Sequence, residues 1–377
     1  MSNPSAAGSK WESLNVTRAV ILWNVSQRDR MDHSHAHGHD FCNSAEKIRT
    51  TIPMKDRGVA DLVNDMGRMG FQGGQLGTSL RVWEKMLDDD VTIFLGLAGA
   101  MVPAGLGEFI AYLLRERKVD CLVSTGANLF HDLCEGLGIV HYQGSACADD
   151  ALLNEQKIDR IYDVFVSEVE LHKVDVYISD FVKGLDESRR YSSRELMYML
   201  GRGLPETTIL GAAHRSGVPI FVPALGDSSI GIGMVMAHRE GKKIMVDQIK
   251  DVDEITRIVE KSSQTGVIYI GGGVPKNFIQ QTEVIAELIG DYSGGHSYAI
   301  QYTADAPHWG GLSGCTFEEA VSWGKVKRDA SKVQVFSDAT ITVPIVVQAL
   351  QASGMRRKSV PVFDWSGDVL ELRYEKR

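Results

Sequence analysis

The stretch EEAVSWGKV, Glu318 to Val326, sets one lysine directly behind an aromatic residue and a glycine. If the Ser322-Trp323-Gly324 step closes a short helix, Lys325 falls where that helix ends, ahead of the strand-like run KVQVF. An indole beside the amine would wall it off from water. Desolvation disfavours the ammonium form and lowers the pKa, which makes a lysine a nucleophile for imine formation. Glu319 lies four residues before Trp323, on the same helical face, where it could hold a cationic amine. The plainer alternative is that both are solvated surface charges. A second group comprises the small residues at the ends of apolar runs: Gly99-Ala100, Ser124-Thr125-Gly126-Ala127, Gly271-Gly272-Gly273 and Ser337-Asp338-Ala339. Glycine lets backbone N–H groups approach a phosphate, and the N-terminus of the next helix favours its charge. Several such loops together point to a dinucleotide, although the G-x-G-x-x-G fingerprint is absent. Asp227 and Asp338 stand just past strands, placed either to accept from ribose hydroxyls or to cap the next helix or turn. A third group, His33, His35, His37 and His39, alternates with small residues in MDHSHAHGHD. Alternate side chains share one face of an extended chain, as in a metal-binding tract. No carboxylate or cysteine is spaced to complete a site, so the tract reads as a flexible arm and no metal centre is expected.

These residues are spaced by a repeating unit, a short apolar strand running into small residues and then a helix. VTIFLG (91–96), VDCLVS (119–124), GVPIFVPAL (217–225), GVIYIGGG (266–273), YAIQYTA (298–304) and KVQVFSDA (332–339) all conform to it. Apolar runs buried on both faces and alternating with helices indicate an α/β protein, with a Rossmann-like, mostly parallel sheet and helices on both faces. Ligands of such sheets bind at the carboxyl ends of the strands. A helix is expected across 61–87. A helical middle is expected over about 150–203, with a capping box at Ser192 and Glu195. No linker is evident, so residues 46–377 read as one α/β unit behind an irregular, His-rich extension at 1–45.

Composition narrows the function classes. The chain has 377 residues, 44% hydrophobic and 24% charged, which is that of an ordinary soluble protein. Its net charge of −9 argues against binding a phosphate backbone and leans toward cationic partners. Five scattered cysteines with no C-x-x-C pair suit reduced thiols in a cytoplasm. No signal peptide and no run of 18 apolar residues is present, so no membrane association is expected.

TIFLG, VDCLVST, the segment Pro223 to Ser229, IGGGVPK and EAVSWGK followed by SDA stand in the order and spacing of one family. From about Gly70 to Val347 the chain resembles deoxyhypusine synthase and its relatives. The resemblance implies an NAD-dependent aminobutyl transferase acting on polyamines such as spermidine or putrescine, a homotetramer with sites between paired subunits. It implies that NAD takes a hydride from the polyamine and that the aminobutyl group passes through an imine on Lys325 to an acceptor amine. Glu319 and Trp323 would line the polyamine pocket. The NAD site would use Thr125, Gly126, Ala127, Asp227, Gly272, Gly273, Thr303, Ala304, Asp338 and Ala339. The departures are informative. Ala98-Gly99-Ala100 replaces T-S-N after the first strand, and Phe130 and His131 replace paired glutamates. Ile232 replaces an acidic residue, and Asn277 a histidine. The polyamine pocket has lost carboxylates while the lysine segment is intact. As a neutral imidazole, His131 would accept a hydrogen bond from an amine; as imidazolium it would repel one. Altered pocket with retained chemistry indicates a changed acceptor, a small diamine, as in homospermidine synthase-like relatives. Transfer to a protein lysine of the hypusine-carrying translation factor, and non-catalytic NAD binding, are the alternatives.

Overall fold

Residues 48–49, 52–290, 294–367 and 370–376 are described by the computed structural model of the protein. The histidine tract and Cys42 lie outside them. Six apolar runs become strands: β1 (Thr92–Leu97), β2 (Cys121–Ser124), β3 (Ile220–Phe221), β4 (Thr265–Ile270), β5 (His296–Thr303) and β6 (Val326–Phe336). They form one sheet in the order β6-β5-β4-β1-β2-β3, and every neighbouring pair is parallel. That is the doubly wound dinucleotide-fold order, with its switch point between β1 and β4.

All residues of β1, β2 and β4 are buried, because helices cover both faces. Alternation along the strands sorts the side chains into two cores. Ile93, Leu95, Leu97, Leu122, Ile268, Ile270, Ile300 and Tyr302 pack on one face with Trp83 and Met86. Phe94, Cys121, Val123, Val267, Tyr269 and Ala299 pack on the other with Ile258, Ile279 and Phe317. The helices beyond the strand ends are α1 (Gly107–Arg115), α2 (Gly126–Gly136), α4 (Ser229–Arg239), α5 (Gly273–Ile289) and α7 (Ala339–Ala352). Two further helices matter to the site, α3 (Ile209–Ser216) and the short α6 (Phe317–Ser322).

Three local expectations are corrected. The helix expected across 61–87 is two, Val59–Met66 and Phe71–Asp88, separated by a turn containing Gly67 and Gly70. The middle region carries its helices and the Ser192–Glu195 capping box, but it also holds an antiparallel hairpin, Ile158–Ile161 with Val164–Ser167. Only Ile220 and Phe221 of the run 217–225 pair, because β3 is the sheet edge and Pro219 and Pro223 cannot donate to a ladder. No described helix is long and apolar enough to cross a membrane.

Candidate active site at the carboxyl edge of the sheet

Register fixes which loops meet. Leu97 pairs with Ser124 on one side and with Ile270 on the other; Ile270 pairs with Tyr302, and Thr303 with Phe336. The loops beginning at Ala98, Thr125, Gly271, Ala304 and Ser337 therefore leave one edge side by side. This brings Gly99, Ala100, Thr125, Gly126, Ala127, Gly272, Gly273, Thr303, Ala304, Asp338 and Ala339 to that edge. Asn128, fully buried, ties the first two loops together. Its Nδ2 donates to Gly99 O at 2.9 Å and Thr125 Oγ1 at 3.0 Å, while its Oδ1 accepts from the amides of Met101 and Val102. Sequence reasoning passed over Asn128, which sits two residues beyond Gly126.

The segment Pro223 to Ser229 closes onto this edge from β3. A Cβ on Gly126 would stand 2.4 Å from Ser228 Oγ, so only glycine lets the two loops touch. Asp227 is exposed beside it. Asp338 is exposed too, and its Oδ1 accepts from Thr340 N at 2.7 Å and Thr340 Oγ1 at 2.6 Å. Those bonds hold its carboxyl below the usual range. Of the two roles open to Asp338, capping α7 is the one its side chain performs here.

At the third loop, a Cβ on Gly272 would lie 2.4 Å from Ser313 Cα, and Gly273 N donates to Ser313 Oγ at 3.2 Å. Gly273 itself has φ +55° with nothing within 4 Å of a Cβ position, so its backbone borders open space at the start of α5. Close-approach glycines, a helix N-terminus and the switch point between β1 and β4 fit a dinucleotide.

From Ser313 the chain runs through Cys315 into α6, which Thr316 caps by accepting from Glu319 N. Trp323 is the C-cap residue, and Lys325 N donates to Ala320 O at 3.1 Å. The helix thus ends at the Ser322-Trp323-Gly324 step, and Lys325 immediately precedes β6 as anticipated. Its side chain turns back toward α5, where Nζ donates to Asn277 Oδ1 at 3.5 Å. Lys325 is only 8% exposed. Burial lowers its pKa from the ordinary lysine value, and Cys315 and Glu319 push partly the other way. The Trp323 ring stands 5.3 Å from Lys325 Nζ, at cation–π range, although the indole itself is 64% exposed. It covers the ammonium on one side while facing solvent, so it alone does not wall the amine off. Glu319 is exposed on α6, and its charge acts on Lys325.

Sequence reasoning missed Lys276. It is fully buried on α5, with Nζ donating to Gln301 Oε1 at 2.9 Å and Cys315 O at 2.7 Å. Gln301 and Gln334 are register partners on β5 and β6. Gln301 Nε2 holds Gly271 O and Ser313 O at 2.8 Å, and Gln334 Nε2 donates to Gln301 Oε1 at 2.8 Å. One polar network therefore ties the Gly271–Gly273 loop to the segment that carries Lys325. Burial lowers the Lys276 pKa to about 8, with Lys325 adding to the shift and Cys315 and Glu319 opposing it. The available signal was a glutamine inside each of two short apolar runs, YAIQY and VQVF.

His131 sits on α2, one turn beyond Ala127. Its Nδ1 meets His141 Nε2 at 2.9 Å, and His141 Nδ1 meets Glu135 Oε1 at 3.0 Å. Burial, with His141 beside it, lowers the His131 pKa to about 4. Ile232 is exposed on α4. The lysine pocket and the His131 cluster are separate sets of contacts within the chain. Among the described residues no group of three or more His, Cys, Asp or Glu is arranged to hold a metal.

The family model for deoxyhypusine synthase matches residues 61–350. A protein named "Probable deoxyhypusine synthase 2" from Methanosarcina mazei is 58% identical over 337 residues, covering 86% of this chain and 97% of its own. Its namesake from Archaeoglobus fulgidus is 50% identical, covering 79% and 99%. A "Deoxyhypusine synthase-like protein" from Elusimicrobium minutum is 38% identical, covering 81% and 84%. A crystal structure assigned as a deoxyhypusine synthase from Entamoeba histolytica superposes with a TM-score of 0.57 at 19% identity, covering 82% of this chain and 98% of that one, a likeness of fold. The chain belongs to the deoxyhypusine synthase family, a family of NAD-dependent aminobutyl transferases.

Proposed function

We propose that the protein transfers the aminobutyl group of a polyamine, through an imine on Lys325, to a small diamine, as a homospermidine synthase-like enzyme. The observation that carries this reading is the contrast within the site. Lys325 keeps a buried amine beside Asn277, while the resemblance aligns Phe130, His131, Ile232 and Asn277 with carboxylates or a histidine of deoxyhypusine synthases. Gly99, Ala100, Thr125–Ala127, Asp227, Gly272–Gly273, Thr303–Ala304 and Asp338–Ala339 would hold NAD, which when bound would supply the hydride acceptor and later the hydride donor.

The chain's own residues do the rest. Glu319 and Trp323 receive the cationic donor, by charge and by the face of the indole. Burial raises the fraction of Lys325 present as free amine. That amine attacks the oxidised carbon, the bond from that carbon to the donor's own nitrogen breaks, and that nitrogen leaves with the proton as the released amine. Asn277 Oδ1 orients Nζ during attack. The acceptor amine adds to the same carbon, the bond to Lys325 breaks, and Lys325 returns to its free form. Lys276 and the two glutamines keep the glycine loop and the lysine segment in fixed relation. The working form is a homotetramer of the cytoplasm, with residues 46–377 carrying the activity and 1–45 an appended arm.

Purified protein incubated with NAD, putrescine and spermidine should form homospermidine, and Lys325→Ala should form none. Absence of any new amine from the wild type overturns the small-acceptor reading. A second reading, transfer to a protein lysine, is favoured by the names of the Methanosarcina and Archaeoglobus relatives. Labelling of the translation factor's lysine from radioactive spermidine, with no free amine product, would establish it instead.

A further inference from the structure

The residues Glu135, His141 and His131 form a hydrogen-bonded chain that the reading of Lys325 does not use. His131 and Glu135 are four residues apart on α2, on the stripe that begins at Ala127, so the imidazole lies about 6 Å along the axis from Ala127. His141 returns from the loop after the helix and inserts between them, its side chain only 7% exposed. A buried histidine bonded at both nitrogens is fixed in position and tautomer.

The donor and acceptor roles derive from the carboxylate. Glu135 can only accept, so His141 Nδ1 carries a proton and donates to it at 3.0 Å. With that proton on Nδ1, the neutral His141 ring has Nε2 as an acceptor, and Nε2 accepts a hydrogen bond from His131 Nδ1, 2.9 Å away. His131, with its protons so placed, presents Nε2 as a bare lone pair. No hydrogen bond to that atom is made among the described residues. The low pKa of His131 agrees, since a ring that titrates near 4 is neutral at physiological pH and presents an acceptor rather than a second cation. The other charged groups around this part of α2 do not disturb the order. Asp132 turns to the opposite side and accepts from the amides of Ile209 and Leu210 at the start of α3. Asp175, on the helix Glu168–Lys183, acts on Cys134.

We propose that Glu135, His141 and His131 act as one acceptor relay, and that His131 Nε2 binds a primary ammonium or amine N–H of the polyamine or diamine substrate. The carboxylate of Glu135 polarises the His141 ring, and that ring in turn polarises His131. His131 is the binding residue; His141 and Glu135 are positioning residues. The relay supplies an amine subsite at position 131 without a carboxylate there. This deepens the proposed function and rests on its choice of an amine substrate.

The test is calorimetric binding of spermidine and of putrescine to the full-length protein saturated with NADH, which cannot take a hydride from the amine, so that binding is read without turnover. His141→Phe keeps the burial but breaks both bonds, and should weaken amine binding about tenfold, the scale of one charge-assisted hydrogen bond. His141→Asn has an amide oxygen to accept from His131 and an NH2 to donate to Glu135, and should recover most of that loss. Glu135→Gln keeps the geometry without the charge and should fall between. NAD affinity should be equal in all four proteins, which separates a local effect from misfolding. Equal amine affinity for wild type, His141→Phe and Glu135→Gln overturns the relay, and so does a His141→Asn protein as weak as His141→Phe. Failure of the wild type to form any new amine overturns the small-acceptor reading instead, and leaves the binding contrast to be judged on its own.

Discussion

Burial lowers the pKa of Lys325, and the charges of Cys315 and Glu319 oppose that shift. The free amine attacks, so transfer should rise with pH through an inflection below the ordinary lysine value of 10.5. Removing the negative charge in Glu319→Gln takes away an influence that raises the Lys325 pKa. The inflection should then move to lower pH, and KM for the amine should rise. A pH–rate profile of both proteins checks this, and a shift to higher pH would contradict it. Lys325 was legible in the sequence because AVSWGK marks a helix end, a local property of adjacent residues. Lys276 was not. Its role depends on Gln301 and Gln334, which are brought to it by strand register rather than by neighbouring residues. His141 was hidden for the same reason: its bonds run across a helix end to His131 and Glu135.

At the scale of elements, the strand ends and the loop that crosses them hold the site. Gly272→Ala would press a methyl group against Ser313 Cα, backbone that cannot yield cheaply. The loop at Ser313 must move off the α5 N-terminus, so NAD affinity should fall by about tenfold or more, the cost of a displaced phosphate-facing backbone. Fluorescence titration of NAD reads this directly, and unchanged affinity would place the cofactor elsewhere. Lys276→Met removes one of two donors from each of Gln301 Oε1 and Cys315 O, leaving both to Gln334 Nε2 in a buried place. That should cost about 1 kcal/mol of stability, measured by urea unfolding, because each buried acceptor loses one hydrogen bond and keeps another. The strand–loop–helix repeat was legible because fully buried parallel strands read as continuous apolar runs. The hairpin at 158–167 was not, since its strands are four residues each and mostly half-buried, with no apolar run to mark them. The break before Phe71 was missed because glycines within an amphipathic pattern are tolerated by eye but terminate the helix here.

At the scale of the whole molecule, net charge and family agree on a cationic substrate. A protein of net charge −9 attracts polyamines from a distance, an effect that salt screens over about 8 Å at physiological ionic strength. KM for spermidine should therefore rise with added sodium chloride, and more steeply than KM for putrescine, which carries fewer charges; salt-independent values would show that local contacts alone select the amine. Parallel pairing was implied by the strand–helix alternation, but the order β6-β5-β4-β1-β2-β3 was not, since it depends on which face of the sheet each crossover takes. The central claim is that Lys325 carries the aminobutyl group. The most direct measurement is borohydride reduction of the protein incubated with NAD and spermidine in the absence of acceptor, then peptide mass spectrometry. The account predicts one aminobutyl group fixed on the peptide containing Lys325, lost when acceptor is added before reduction. An unmodified Lys325, or the label on another lysine, would contradict it.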